Sequence, residues 1–196
     1  MSPMLAALAL GLALAGAQAE YAARLEPRRL VVRRETRTLG TPIPALDGLR
    51  IGVLSDAHLG TPHMDPARLT AIAERLAAEA PDLICFLGDL ADRQARFPRA
   101  PAEMTAALAP LARVAPSFAV PGNHDAAVEP DRLVAAYRAA GIRCLVNTQT
   151  WIEAPRGGRI RLAGLADSGT GRADPAAALA GEVGAATILL THRPGP

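Results

Sequence analysis

Four apolar runs in this chain each end on side chains able to bind a cation or carry a proton. Residues 50–55 lead into Asp56-Ala57-His58, residues 83–87 into Gly88-Asp89, residues 117–120 into Gly122-Asn123-His124-Asp125, and residues 186–190 into Thr191-His192. Short apolar runs bounded by turn residues read as buried strands. Open α/β sheets place their ligand sites just beyond the carboxyl ends of such strands. The pattern therefore demands a fold that gathers four strand ends at one edge.

The segments between the runs supply the helices. Residues 65–80 present Leu69, Ile72, Ala73 and Leu76 on one face, with Asp65 as N-cap and Pro66 at the first helical position. Residues 102–113 and 130–140 read as two further helices, the second closed by Gly141. After Gly141 the rhythm changes. Residues 143–146, 150–153 and 159–165 read as strands joined by turns such as Pro155-Arg156-Gly157-Gly158, followed by a short helix over 174–179 and the strand at 186–190. An α/β order giving way to a meander predicts one α/β domain, for which 196 residues suffice.

Composition narrows the classes of function. With six aromatic residues and abundant alanine, the core must be mainly aliphatic. The formal net charge is only +2, and all 21 basic residues are arginine, so whole-chain charge gives no case for nucleic acid. Cys85 and Cys144 sit in apolar runs without metal-binding spacing and read as buried free thiols.

Residues 1–19 form an uncharged leader with an alanine and leucine core over 4–17, ending in Ala17-Gln18-Ala19. That ending suits a cleaved secretory signal. The arginines instead follow the apolar core, at Arg24, Arg28, Arg29, Arg33, Arg34 and Arg37, which suits an uncleaved anchor with its basic flank in the cytoplasm. Both readings associate the chain with a membrane and leave the side open. Residues 20–48 read as a basic linker with an edge strand over 28–38, broken by Thr41-Pro42-Ile43-Pro44, and residues 49–196 as the domain proper.

Each motif alone fits a turn or a helix cap. Together, Asp56-Ala57-His58, Gly88-Asp89-Leu90-Ala91-Asp92, Gly122-Asn123-His124-Asp125 and His192 resemble the calcineurin-like metallophosphoesterases over residues 49–192. The apolar leader, Glu26-Pro27 and Gly48-Leu49-Arg50-Ile51 resemble the membrane-associated phosphodiesterase branch of that family. The resemblance implies a sandwich of two mixed sheets flanked by helices and a site for two divalent ions, manganese, iron or zinc, with manganese favoured. It implies that Asp89 bridges the ions, that Asp56 and His58 serve the first, and that Asn123 and His192 serve the second. His124 would act on the phosphate as an acid or charge stabiliser, with Asp125 holding its imidazole. Two ions can clamp a phosphoryl oxygen and generate hydroxide near neutral pH, which is chemistry suited to phosphoric esters.

Resemblance to the membrane-associated branch implies hydrolysis of a phosphodiester or pyrophosphate bond, with a lipid-linked molecule such as UDP-2,3-diacylglucosamine as one candidate substrate and protein phosphatase and nuclease activities left open. His63 and Asp167 read as loop or turn residues, Asp92 as a cap or an outer partner, and Arg93, Arg96 and Arg99 as a solvated basic loop. The family's later Gly-His-x-His motif has no match, because no histidine follows His192. The expectation is thus a sequence incomplete at its C-terminus, or else a short membrane-associated remnant with impaired catalysis.

Overall fold

The computed structural model describes residues 2–40, 42–92, 101–127, 130–182 and 186–193. The chain divides into two units, Met1–Arg34 and Glu35–Pro196.

The first unit is helical. Ser2 caps α1 (Pro3–Glu20) by accepting the Leu5 N–H at 3.3 Å, and Pro3 occupies the first turn, where no amide donor is needed. The helical path continues through Tyr21–Leu25 and Glu26–Arg28, past the leader boundary expected at residue 19. Leu5, Leu8, Leu10, Leu12 and Leu14 are all exposed, and Pro3–Arg28 is long and apolar enough to cross a membrane. The strand expected over 28–38 does not form, and residues 29–39 pair with no ladder. Three consecutive apolar residues set among charges cannot make a stable strand without a neighbour to bond.

In the second unit, β1 (Ile51–Leu54), β2 (Leu83–Phe86), β3 (Ser117–Ala119) and β4 (Arg143–Cys144) form a wholly parallel sheet in that order. Parallel neighbours need long crossovers. These are α2 (Pro66–Ala77), α3 (Pro101–Val114), and α4 (Asn123–Ala127) followed by α5 (Pro130–Ala139). Asp65 caps α2 as expected, accepting the Arg68 N–H at 2.7 Å. A second sheet has the order β5 (Thr148–Glu153), β6 (Arg159–Gly164), β7 (Thr187–Leu190), antiparallel in its first pairing and parallel in its second. Between β6 and β7, Asp174 caps the short α6 (Pro175–Ala178).

The strands explain the layers. All four residues of β2 are buried, as a strand covered on both faces requires. Ile84 and Phe86 pack with Leu69, Leu108, Leu111 and Tyr137 on the helical side. Leu83 and Cys85 pack with Phe118, Val120, Leu145, Leu162 and Leu190 between the sheets. Helices, parallel sheet and mixed sheet thus form three layers, and burying Leu190 brings the end of β7 into the second core.

Candidate metal centre

Because β1, β2 and β3 run the same way, their C-terminal ends open at one edge of the sheet. Past the strands, two of the loops remain joined. The Asp56 N–H donates to Gly88 O at 3.0 Å, the His58 N–H to Asp89 O at 2.9 Å, and the Leu59 N–H to Leu90 O at 2.8 Å. Asp56, His58 and Asp89 hold φ of 54°, 46° and 54°, left-handed conformations that Asp and His tolerate better than most residues. Backbone strain of this kind concentrates at functional sites.

Asp89 is 2% exposed and lies at the centre. Its Oδ1 accepts the His124 N–H at 2.8 Å. Its Oδ2 lies 3.7 Å from His58 Nε2 and 3.5 Å from His192 Nε2. Asp56 Oδ1 stands 3.8 Å from the same His58 nitrogen. Two sets of donor atoms, from His58, Asp89 and His124 and from Asp56, Asp89 and His192, each fall within 4.8 Å of one another. Asp89 belongs to both, so one carboxylate is shared, although His58 and Asp56 fall in different sets. Asn123 Oδ1 joins the second set, 3.1 Å from His192 Nε2.

The proton positions test whether cations fit. His192 Nδ1 lies 2.7 Å from Leu87 O, a carbonyl that can only accept, so Nδ1 carries the hydrogen. In the neutral ring Nε2 then points a lone pair at Asn123 Oδ1 and Asp89 Oδ2, which are acceptors as well. His58 repeats the arrangement, with Nδ1 3.1 Å from Asp92 Oδ2 and Nε2 turned toward Asp56 and Asp89. Lone pairs converging without a hydrogen between them are the environment of a cation, and a histidine anchored through its other nitrogen is typical of metal sites. The residues present therefore fit divalent ions.

Asp125, which the resemblance sets on the His124 imidazole, and Asp92, expected as a cap or an outer partner, both lie beside these donors. Asp125 is fully buried, and its oxygens accept the backbone N–H groups of Asp89 at 2.7 Å, Gly122 at 3.0 Å and Ala91 at 3.0 Å. Burial pushes its carboxyl up, while those amides pull it back. Beside the His124 ring stands Asp92, whose Oδ2 is 3.4 Å from His124 Nδ1. The His58 and His124 rings meet edge to face, with centroids 4.6 Å apart. One Asp92 oxygen thus backs both histidines.

His63 is half-buried and outside both donor sets. Asp167, read as a turn residue, is 1% exposed, and its Oδ1 faces Arg193 Nε at 3.2 Å. That pairing went unread because 26 residues separate its members. Arg93, Arg96 and Arg99 lie outside the described residues. Cys85 and Cys144 are free, and burial pushes both thiols up to about 12, so they stay protonated and do not compete as ligands.

Donors drawn from three parallel strand ends and one strand of a second sheet, around a shared carboxylate, define an α/β sandwich with a candidate two-ion centre. The chain belongs to the calcineurin-like phosphoesterase family, whose pattern matches residues 49–194. It is 34% identical over 151 residues to the phosphodiesterase YaeI of Escherichia coli K12, covering 74% of this chain and 53% of that protein. It is 37% identical over 84 residues to a zebrafish (Danio rerio) transmembrane protein with a metallophosphoesterase domain, covering 41% of this chain and 18% of that one. The chain thus spans about half of one curated relative and a fifth of the other. Among solved structures, the Pseudomonas putida nuclease MPE shares 23% identity with a TM-score of 0.38, over 58% of this chain and 52% of that one.

Proposed function

We propose that this chain is the catalytic part of a hydrolase of phosphodiester or pyrophosphate bonds that works at a membrane with two divalent ions, manganese favoured. The observation carrying this reading is the position of Asp89 Oδ2 between Nε2 of His58 and Nε2 of His192. Asp56, His58, Asp89, Asn123 and His192 would hold the ions, with a nitrogen of His124 at the edge of the first set. Bound there, two ions supply Lewis acidity toward a phosphoryl oxygen and bring the pKa of a coordinated water to about 7.

The chain's own groups do the positioning. Leu87 O fixes the tautomer of His192, and Asp92 does so for His58. Asp92 also orients His124, which stands over the site to donate a proton to the leaving oxygen. Bis-p-nitrophenyl phosphate tests this directly. Hydrolysis should vanish after EDTA treatment and return most fully with Mn²⁺. A rate indifferent to EDTA and to added Mn²⁺ sinks the proposal.

The lipid-linked substrate, such as UDP-2,3-diacylglucosamine, is supported by Pro3–Arg28 and the arginines beyond it. An apolar helix followed by basic residues favours an anionic membrane surface. The zebrafish relative is named as a transmembrane protein, and YaeI as a phosphodiesterase. Fractionation of cells expressing the full chain should leave it in the membrane pellet after a high-salt wash. Full-length, uncleaved protein found only in the soluble fraction overturns the membrane placement.

A further inference from the structure

We infer that Asp125 is a positioning residue whose carboxylate locks the loop carrying Asp89 onto the loop carrying Asn123, and so fixes where Asp89 Oδ2 stands between His58 and His192. Its consequence for metal rests on the two-ion reading above, but the clamp itself does not.

The backbone groups of residues 88–91 divide between two neighbouring loops. Their carbonyls face the β1 loop, where Asp56, His58 and Leu59 donate to Gly88, Asp89 and Leu90. Beyond the Val120 N–H donation to Phe86 O at 3.0 Å, the chain after β3 turns away into α4. The Asp89 and Ala91 N–H groups find their acceptor in the Asp125 side chain. Buried backbone donors require such a partner. One carboxylate replaces the missing strand, with Oδ2 taking Asp89 N–H and Gly122 N–H together and Oδ1 taking Ala91 N–H.

The exchange is reciprocal. Asp125, on α4, holds the backbone of the Asp89 loop, while the His124 N–H, also on α4, holds Asp89 Oδ1 at 2.8 Å. With one carboxylate oxygen pinned and the backbone behind it pinned, Asp89 has only Oδ2 left to face the histidines. Asp89 also sits at φ 54°, a conformation that needs surrounding bonds to persist. Asp125 touches neither donor set with its own oxygens in this role; it acts through Asp89.

Asparagine has the same shape but only one acceptor oxygen, so Asp125→Asn must abandon either Ala91 or the Asp89 and Gly122 pair. Amide hydrogen exchange in the metal-free full chain should quicken about 10-fold or more at residues 89–91, with the β1 amides unchanged. Mn²⁺ affinity, measured by calorimetry, should fall by roughly 10-fold or more. Leu69→Ala, which empties a buried position on α2, serves as the control for general destabilisation: it should lower thermal stability yet leave Mn²⁺ affinity near wild type.

Unchanged exchange at Asp89 and Ala91, or a loss of Mn²⁺ affinity no greater than that of Leu69→Ala, overturns the inference. Should Asp125→Asn not fold, the wild-type chain decides: NMR should show a coupling across the hydrogen bond between the Asp89 nitrogen and the Asp125 carboxylate carbon, and its absence overturns the clamp. A wild-type chain that binds no Mn²⁺ defeats the two-ion reading instead, and the exchange rates then judge the clamp alone.

Discussion

Asp89→Asn is expected to lower Mn²⁺-stimulated hydrolysis of bis-p-nitrophenyl phosphate by about 100-fold or more, the upper end of what losing a mere outer partner of a metal site costs. The substitution is nearly isosteric. Its amide oxygen can still accept the His124 N–H that now bonds Oδ1 at 2.8 Å. What changes is the other atom: an NH₂ group replaces Oδ2 where the lone pairs of His58 and His192 converge at 3.7 and 3.5 Å. Hydrogens there can bond those nitrogens, so the metal-free fold should melt no lower than wild type. An ion, in contrast, loses both the charge and the shared ligand. The signature is therefore two-sided, with stability kept or raised and Mn²⁺-dependent turnover gone. A variant retaining more than a tenth of wild-type turnover shows that Asp89 does not hold the ions.

The parts of this site legible in the sequence were those governed by local rules. An apolar run ended by Asp-x-His or Gly-Asp announces a strand end, and Asp56, His58, Asp89, Asn123 and His192 do converge as those runs implied. Asp65 and Gly141 marked helix ends for equally local reasons. What stayed hidden depends on which loop lies beside which. The resemblance sets Asp125 on the His124 imidazole, yet α4 turns its carboxylate under the Asp89 loop. Asp92, 32 residues from His124 in sequence, brings its Oδ2 to 3.4 Å from the His124 Nδ1 because the β2 and β3 loops are neighbours. The misread strand at 28–38 has the opposite cause. Leu30, Val31 and Val32 carry local β character, but no ladder accepts them.

Close approach of the same two loops also sets the last and largest structural expectation, that Gly88→Ala destabilises the protein by about 2–5 kcal/mol and removes Mn²⁺ binding with it. Two costs act at this position. Gly88 has φ +92°, where a side chain is strained, and a methyl there would lie 2.5 Å from Gly122 N and 2.9 Å from His192 Nδ1. Gly157 isolates the first cost, since its φ is +94° but a methyl meets nothing within 4 Å. Gly157→Ala should cost only about 1–2 kcal/mol and leave Mn²⁺ affinity intact. Gly122 isolates the second: it carries no left-handed strain, but a methyl there would overlap Asp89 Oδ1. Gly122→Ala should therefore displace the carboxylate on which both donor sets depend. Denaturant unfolding and Mn²⁺ calorimetry on the three variants order them. If Gly88→Ala proves no more damaging than Gly157→Ala in both measurements, the loops stand further apart than the structure places them, and the glycine before each acidic or amide ligand answers only to turn geometry.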